Sequence, residues 1–182
     1  IGDNGSPTRV AQDYGNRRAK GTLYQGGINV PMAITGKNVS RISQEDSSLI
    51  NATDLYNTIV EISGNLATQS NDSESFKNLL ANAGTGNREY AFSEKSYDDN
   101  TSDYTIRSLT HKYIIFSDDS EALFNLNDDA LEIVNLLEQT LSASDTEILS
   151  EFDESKLNQW LEFDKKRDLY SRVTSGEKVK IQ

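Results

Sequence analysis

The sequence predicts an α+β chain. Two observations carry that prediction. Between residues 89 and 125, short stretches rich in β-branched and aromatic residues alternate with turn signals, the pattern of a small antiparallel sheet. Elsewhere apolar residues recur at helical spacing behind capping residues, at Asn51–Gly64 and from Ser144 onward.

In chain order, residues 1 to 5 read as the end of a strand that turns at Gly5. Residues 6 to 29 form a long glycine-bearing loop, a length usual for functional or disordered segments. Val30 to Thr35 reads as a buried strand closed by Gly36. In the helix Asn51–Gly64, Thr53 is the expected cap and Leu55, Ile59 and Ile62 share one face. Residues 65 to 88 are rich in Asn, Ser, Thr and Gly and read as a linker with one short helix at Phe76 to Leu80. Gly84-Thr85-Gly86 reads as a turn, since it lacks the strand and third glycine of a nucleotide loop.

Four strands follow, at Glu89–Glu94, Tyr104–Leu109, Lys112–Phe116 and Ala122–Asn125. Their turns are Leu109–Lys112 and Ser117–Ser120. Asp128 to Gln139 is expected to be helical. Ser144-Asp145-Thr146-Glu147 reads as a capping box, ahead of an apolar stripe of Ile148, Leu149, Phe152, Trp160 and Leu161. That helix, Ser144 to Phe163, is expected to pack on the sheet. Asp164 to Gln182 has no firm reading.

Composition narrows the function. The chain has 182 residues, 29 acidic against 18 basic, for a net charge of -11. Such a balance argues against nucleic acid, whose phosphates need a basic surface. With no cysteine, this chain has no disulfide, thiolate metal site or cysteine nucleophile. No apolar run is long enough to span a membrane. Residues 7 to 20 reverse the trend, with Arg9, Arg17, Arg18 and Lys20 against Asp13 alone. That patch is either a solvated loop or a seat for an anionic small ligand.

Within it, Lys20-Gly21 leads to Tyr24-Gln25-Gly26-Gly27-Ile28-Asn29-Val30-Pro31. A cation is followed by a glycine pair, where a backbone can come close to a ligand or a neighbouring element. This stretch resembles the K-G-x-x-Y-E-G-G-I-R-V-P signature of the sulfatase family, in the alkaline phosphatase superfamily. Three more segments follow the family's order. Gly2-Asp3-Asn4-Gly5 is similar to its S-D-N-G metal motif. Thr53 to Gly64 is similar to its D-L-Y-P-T-L-L-E-L-A-G helix. Tyr104 to Leu136 resembles its closing hairpin, with R-x-x-x-x-K-Y-I, L-F-N-L and an N-D-x-x-E-x-x-N-L run. The resemblance covers residues 1 to about 163, and four ordered motifs are more specific than one.

The resemblance implies a C-terminal fragment: the end of an α/β sulfatase catalytic domain over residues 1–88, with the metal and sulfate loop. A small α+β subdomain over 89–163 follows, its antiparallel sheet of about four strands packed by a C-terminal helix; 164–182 is a tail of unknown role. It implies Asp3 and Asn4 as ligands of calcium, or of magnesium, completed by two acids that lie upstream. Both are hard oxygen donors suited to such an ion, although Asp-Asn-Gly is also a common turn. It implies Lys20 as the contact to the substrate's sulfate, a compact charge suited to a transferring anion. It places no catalytic residue in this chain: the formylglycine nucleophile and the catalytic histidines belong to the missing N-terminal part. The implied partners are a sulfated small molecule or glycan and the N-terminal remainder, and the implied location is periplasmic or secreted.

Some residues depart from the pattern or stay outside it. Gln25 and Asn29 stand where the family has glutamate and arginine, which suggests an amide pair in place of an ion pair. Gly5-Ser6-Pro7-Thr8-Arg9 has the outline of the family's nucleophile motif, but its nucleophile position is Gly5, so the match is coincidental. His111, the sole histidine, reads as an exposed turn residue. Tyr104, Arg107 and Tyr113 either edge a sugar-binding cleft or alternate into a core. Sequons begin at Asn4, Asn38, Asn51, Asn71 and Asn100, and in an Asn-rich chain they decide nothing.

Two functions of different class remain. One is part of a sulfatase acting on a carbohydrate, with a phosphodiesterase or phosphonate hydrolase of the same superfamily as its close variant. The other is a non-catalytic binding module. A C-x-P-x-R or S-x-P-x-R motif encoded upstream separates them.

Overall fold

The computed structural model describes residues 1–14, 17–66, 72–84, 86–98 and 101–152. The chain divides into two compact units, Ile1–Glu138 and Gln139–Gln182. The first is built on a four-stranded antiparallel meander: β1 (Ala91–Asp98), β2 (Thr101–Arg107), β3 (His111–Ile115) and β4 (Glu121–Asn125), in that order. Tyr104 pairs with Ile115, and Tyr113 with Leu123. Alternation puts Ile106 and Leu123 on one face of the sheet and Ile114 and Phe124 on the other, and all four are buried, so both faces are covered. The four expected strands are present. Two are displaced: β2 starts at Thr101 and ends at Arg107, earlier than expected, and β1 runs on to Asp98 past a register break between Ser96 and Asp98. An edge strand tolerates the polar Glu94-Lys95-Ser96 run that would end a central one.

Leu23 packs with Ile114, Ala122, Phe124 and Leu126, and Tyr24, Ile28 and Phe116 complete the cluster. The glycine-rich loop is thereby seated on the sheet. Within it, Gln25–Ile28 forms a single helical turn, α1, which the sequence reading did not anticipate. The expected strand Val30–Thr35 is absent. Pro31 has no N–H to donate, and this segment's tie is Gly2 N–H to Pro31 O at 2.8 Å. Residues 1–5 likewise carry no strand assignment.

The helix α2 spans Asp54–Ile62. Thr53 does not cap it; its hydroxyl donates to Asp72 O at 3.2 Å. Asp54 instead accepts the Asn51 amide at 2.7 Å and the Glu74 amide at 2.8 Å. The face shared by Leu55, Ile59 and Ile62 is split: only Leu55 packs into a core cluster. Asp54, Asn57 and Thr58 are buried, whereas Ile59 and Ile62 are exposed. The segment expected to be a linker is partly core: Phe76, Leu79 and Leu80 form a cluster joined by Met32, Val39, Ile50 and Leu55. Its 3-10 turn is Lys77–Leu80, near the expected short helix. Gly84 has φ +65, in keeping with the expected turn, while Thr85 lies outside the described residues.

The node under α2 is ionic. Arg88 donates Nε to Asp54 Oδ2 at 2.8 Å and Nη2 to Asp54 Oδ1 at 2.5 Å. It also donates to Tyr90 O at 3.0 Å and to Asp72 O. Both partners are buried, so the bidentate geometry and extra bonds are what make the pair tolerable there.

Asp128–Gln139 is not a helix. It holds turns and one 3-10 turn, Leu136–Glu138. Glu132 sits at φ +57, a left-handed conformation no helix interior allows, and its carboxylate is drawn inward to Lys112. In the second unit, α3 covers Ala143–Glu151. Its capping box is Ser142 with Asp145, two residues before the expected one. Residues 153–163 of the expected helix, with Trp160 and Leu161, and the tail 164–182 lie outside the described residues, as do Asn71 and Asn100.

Candidate functional site

Two backbone bonds press the N-terminal segment against the glycine-rich loop: Gly2 N–H to Pro31 O, and Gly5 N–H to Gly27 O at 2.9 Å. The fit leaves no room for side chains. A methyl on Gly5 would stand 1.9 Å from Gly26 O, one on Gly26 2.4 Å from Arg18 O, and one on Gly27 2.1 Å from Thr22 O. Glycine at these three positions therefore permits close approach of backbone to backbone. The Lys20 amide donates to Ser6 O at 3.0 Å, and Gly21 at φ +85 turns the chain beyond it. Residues 3–6, 18–21 and 25–27 thus form one interlocked knot.

Asp3 and Asn4 are exposed on this knot, and the Asn4 amide donates to Asp3 Oδ2 at 2.8 Å. Both line a cleft of about 840 Å³ whose other walls include Gln25, Asn29, Arg41, Asn51, Leu55 and Arg107. Lys20 is exposed and does not line that cleft. It is brought near through its backbone alone. A carboxylate beside an amide oxygen is a donor set that suits calcium or magnesium, yet two ligands fall well short of six to eight. Among the described residues no group of three or more acids or histidines gathers at one point. The set fits as part of a metal site and does not complete one.

Below the knot lies a buried ion pair. Lys112 Nζ stands 2.7 Å from Glu132 Oε1, and both side chains have 0% exposure. The other Glu132 oxygen accepts the Gln25 amide at the start of α1. Burial pulls the Lys112 ammonium below its ordinary pKa, against the opposing pull of Glu132. Arg107, on β2, donates Nη1 to Gln25 Oε1 at 3.1 Å, and burial lowers its pKa as well. Gln25 therefore answers Arg107 on the sheet, and the expected Gln25–Asn29 amide pair is not what forms. The Lys112–Glu132 pair was missed from sequence as part of the site, whereas Arg107 was already a candidate for the edge of a cleft. The signal was a lysine beside the apolar run Tyr113-Ile114-Ile115, where only a buried partner makes the charge tolerable.

Other candidates resolve individually. Arg18 lies over the Tyr24 ring at 5.3 Å, within cation–π reach. Burial raises the Tyr24 pKa although Arg18 opposes it. His111 is not an exposed turn residue: it is buried in β3, 2.9 Å from the Thr110 hydroxyl through Nδ1. Tyr113 is buried in the core, and of Tyr104, Arg107 and Tyr113 only Arg107 reaches the cleft.

The fold and site define a class: an α+β unit whose meander carries a glycine-tight knot with an exposed Asp3-Asn4 turn on its surface. No family model matches the chain. Arylsulfatase K of Xenopus laevis is 31% identical over 132 residues, covering 66% of this chain and 24% of the relative. Arylsulfatase K of Mus musculus is 24% identical over 128 residues, 64% of this chain and 23% of that one. A Bacteroides thetaiotaomicron protein described as a sulfatase superposes with a TM-score of 0.61 at 21% identity, over 88% of this chain and 34% of its own. A 2-O GAG sulfatase gives a TM-score of 0.61 at 20% identity, with the same coverage of 88% and 34%. The chain is similar in sequence to part of these arylsulfatases and shares its fold with part of the two solved sulfatases, and it spans about a quarter of the length of the curated relatives it matches.

Proposed function

We propose that this chain is part of a sulfatase that hydrolyses sulfate esters, on a carbohydrate, with a divalent cation. The observation that carries the reading is the knot. Its backbone bonds bring the Asp3-Asn4 turn and the Lys20 loop together, and the chain around it is similar in sequence to Arylsulfatase K. A glycan substrate is favoured because one fold neighbour is a 2-O GAG sulfatase. A phosphodiesterase of the same superfamily would differ in substrate and keep the same partial metal site.

In this reading the cation is calcium, or magnesium, and would polarise the sulfate. Asp3 and Asn4 would supply two of its oxygen ligands, with the remaining ligands and the formylglycine outside this chain. Lys20 places its ammonium on the sulfate, where it stabilises charge that builds on the transferring group. Arg107 and Gln25 keep α1, and with it the glycine pair, fixed on the sheet. We assign residues 1–88 to the catalytic domain and 89–163 to a C-terminal subdomain. We place the protein in the periplasm or outside the cell, and no helix among the described residues is long and apolar enough to cross a membrane. The chain alone is expected to show no turnover.

The test uses the complete enzyme and an aryl sulfate. Lys20→Ala is expected to lower turnover by roughly 10²-fold, the scale of one preorganised donor, with metal content unchanged. Asp3→Ala is expected to lower bound metal as well, and Asn4→Ala to do so more weakly. Added calcium should partly restore the Asp3 and Asn4 variants and leave Lys20→Ala unchanged. Full activity in Lys20→Ala, or its rescue by calcium, would remove this loop from the sulfate site.

A further inference from the structure

The turn α1 has only four residues, Gln25–Ile28, and its cap residue Tyr24 gives it no side-chain hydrogen bond. So short a helix does not hold its own shape in water, because fixing the first turn is unfavourable. The bond at its start comes from Glu132, 107 residues later, whose Oε2 accepts the Gln25 N–H. That carboxylate is itself fixed. Its other oxygen lies 2.7 Å from Lys112 Nζ, and both side chains have 0% exposure. Glu132 sits at φ +57, a left-handed conformation that glutamate adopts rarely. The surrounding turn enforces it: Glu132 N–H donates to Asp129 O at 3.0 Å, and Val134 N–H to Asp129 Oδ2 at 2.8 Å. Backbone strain of this kind persists only where the surroundings over-determine it, and it gathers at functional sites.

What the carboxylate holds is the floor of the knot. A methyl on Gly26 would stand 2.4 Å from Arg18 O, and one on Gly27 would stand 2.1 Å from Thr22 O and 2.9 Å from Ala19 O. Those oxygens flank Lys20 on both sides. Gly27 O also accepts the Gly5 N–H at 2.9 Å, next to Asn4. Close-packed atoms leave no slack, so a shift of α1 is passed on to the Lys20 backbone. Two other contacts reach the start of α1, and neither replaces the carboxylate. Leu23 is buried in the sheet cluster, which fixes depth but is non-directional. Arg107 meets Gln25 through side-chain atoms, Nη1 to Oε1 at 3.1 Å, and so leaves the backbone free to turn.

We propose that Glu132 is a positioning residue: fixed by Lys112, its carboxylate holds the first amide of α1 and so sets where the Lys20 ammonium meets the substrate's sulfate. It acts through Gln25, Gly26 and Gly27. The use of the hold rests on the sulfatase reading, while the hold itself rests on the bonds just described.

The experiment compares two variants of the full-length protein. Lys112→Met with Glu132→Gln removes both charges and keeps an oxygen facing the Gln25 N–H. Lys112→Met with Glu132→Met removes that oxygen too. With an aryl sulfate, kcat is expected to be at least about tenfold lower in the second than in the first, with KM changed far less, the signature of a misplaced group. In a Lys20→Ala background the two should turn over alike, because a residue that acts through Lys20 then has nothing to place. Equal kcat in the two variants overturns the proposal, and so does a gap that survives Lys20→Ala.

Hydrogen exchange is read on the same proteins. The Lys20, Ile28 and Asn29 amides donate to Ser6 O, Tyr24 O and Gln25 O, so each reports the hold. They are expected to exchange at least about tenfold faster when the oxygen is lost, with β3 and β4 unaffected. Equal exchange overturns the hold whatever the turnover. Native protein without turnover removes the sulfatase reading, and exchange still decides the hold. If β3 and β4 also lose protection the variant has unfolded, and Gln25→Pro against Gln25→Ala puts the question from the donor's side. Both remove the Gln25 amide group, but only proline lacks the backbone N–H, and proline is accepted at a first helical position. The same gaps in kcat and exchange are expected there, and their absence overturns the proposal.

Discussion

Gly27 shows how tightly single residues set this site. A methyl there meets Thr22 O at 2.1 Å and Ala19 O at 2.9 Å, both backbone atoms on either side of Lys20. Gly27→Ala is expected to cost about 1–3 kcal/mol, the usual range for overpacking, seen as a lower denaturant midpoint with an unchanged slope. Asp46 is set by hydrogen bonds. The Ser48 side chain, the Gly84 amide and the Ser48 amide, with Arg41 at 2.7 Å, hold its carboxyl well below the usual range. A depressed carboxyl contributes stability that is full above the unfolded pKa of 3.8 and lost as pH falls through the folded value. The stability gap between native protein and Asp46→Asn should therefore be constant above about pH 5 and shrink in more acid solution. An unchanged gap down to pH 2, by denaturant titration, would remove Asp46 from this role. Asp3, Asn4 and Lys20 were legible as residue types in an ordered pattern. What the pattern could not show was the tether, because Lys20 N–H to Ser6 O is a backbone bond and leaves no trace in side-chain identity.

At the scale of elements, the Lys112–Glu132 pair decides where the sheet meets α1. Lys112→Met alone leaves a buried carboxylate without its cation, and should cost about 3–5 kcal/mol. Lys112→Met with Glu132→Gln should recover most of that loss, because the amide oxygen still accepts from Gln25 N–H. Thermal and denaturant unfolding of the three proteins form the check, and a double variant no better than the single one would refute the account. The strands were legible because alternation and turn residues are local signals. The missing helix at Asp128–Gln139 was not legible. Its residues have helical spacing, but Glu132 is taken out of register by a partner twenty residues earlier in sequence, and tertiary demand overrides propensity. The buried polar residues of α2 have the same origin: Asp54 is held by Arg88, 34 residues away.

At the scale of the molecule, Asp54 and Arg88 join the helix, the segment before the sheet and the loop at residue 72. Asp54→Ala strands a buried guanidinium and is expected to cost about 3–5 kcal/mol, with unfolding losing cooperativity between α2 and the sheet. Hydrogen exchange would show it as lost protection in both elements at once; loss in α2 alone would mean that the pair is local. The α+β class was legible from the whole pattern, whereas which residues of α2 are buried was not. Periodicity names the apolar face and says nothing about who covers it.

The two outer strands of the meander each carry an asparagine clip. Asn51 Nδ2 donates to Phe92 O of β1 at 3.2 Å. On β4, Asn135 Oδ1 accepts from Leu123 N–H at 3.0 Å and its Nδ2 donates to Glu121 O at 3.0 Å. These are groups that a stray strand would otherwise seize, so the clips act as guards against edge-to-edge polymerisation. The Asn51 sequon is therefore a poor place for a glycan, which would consume the nitrogen that shields β1. Removing the β4 guard with Asn135→Ala should leave the monomer folded at low concentration and make it scatter light on warming or concentration, as free strand edges recruit one another.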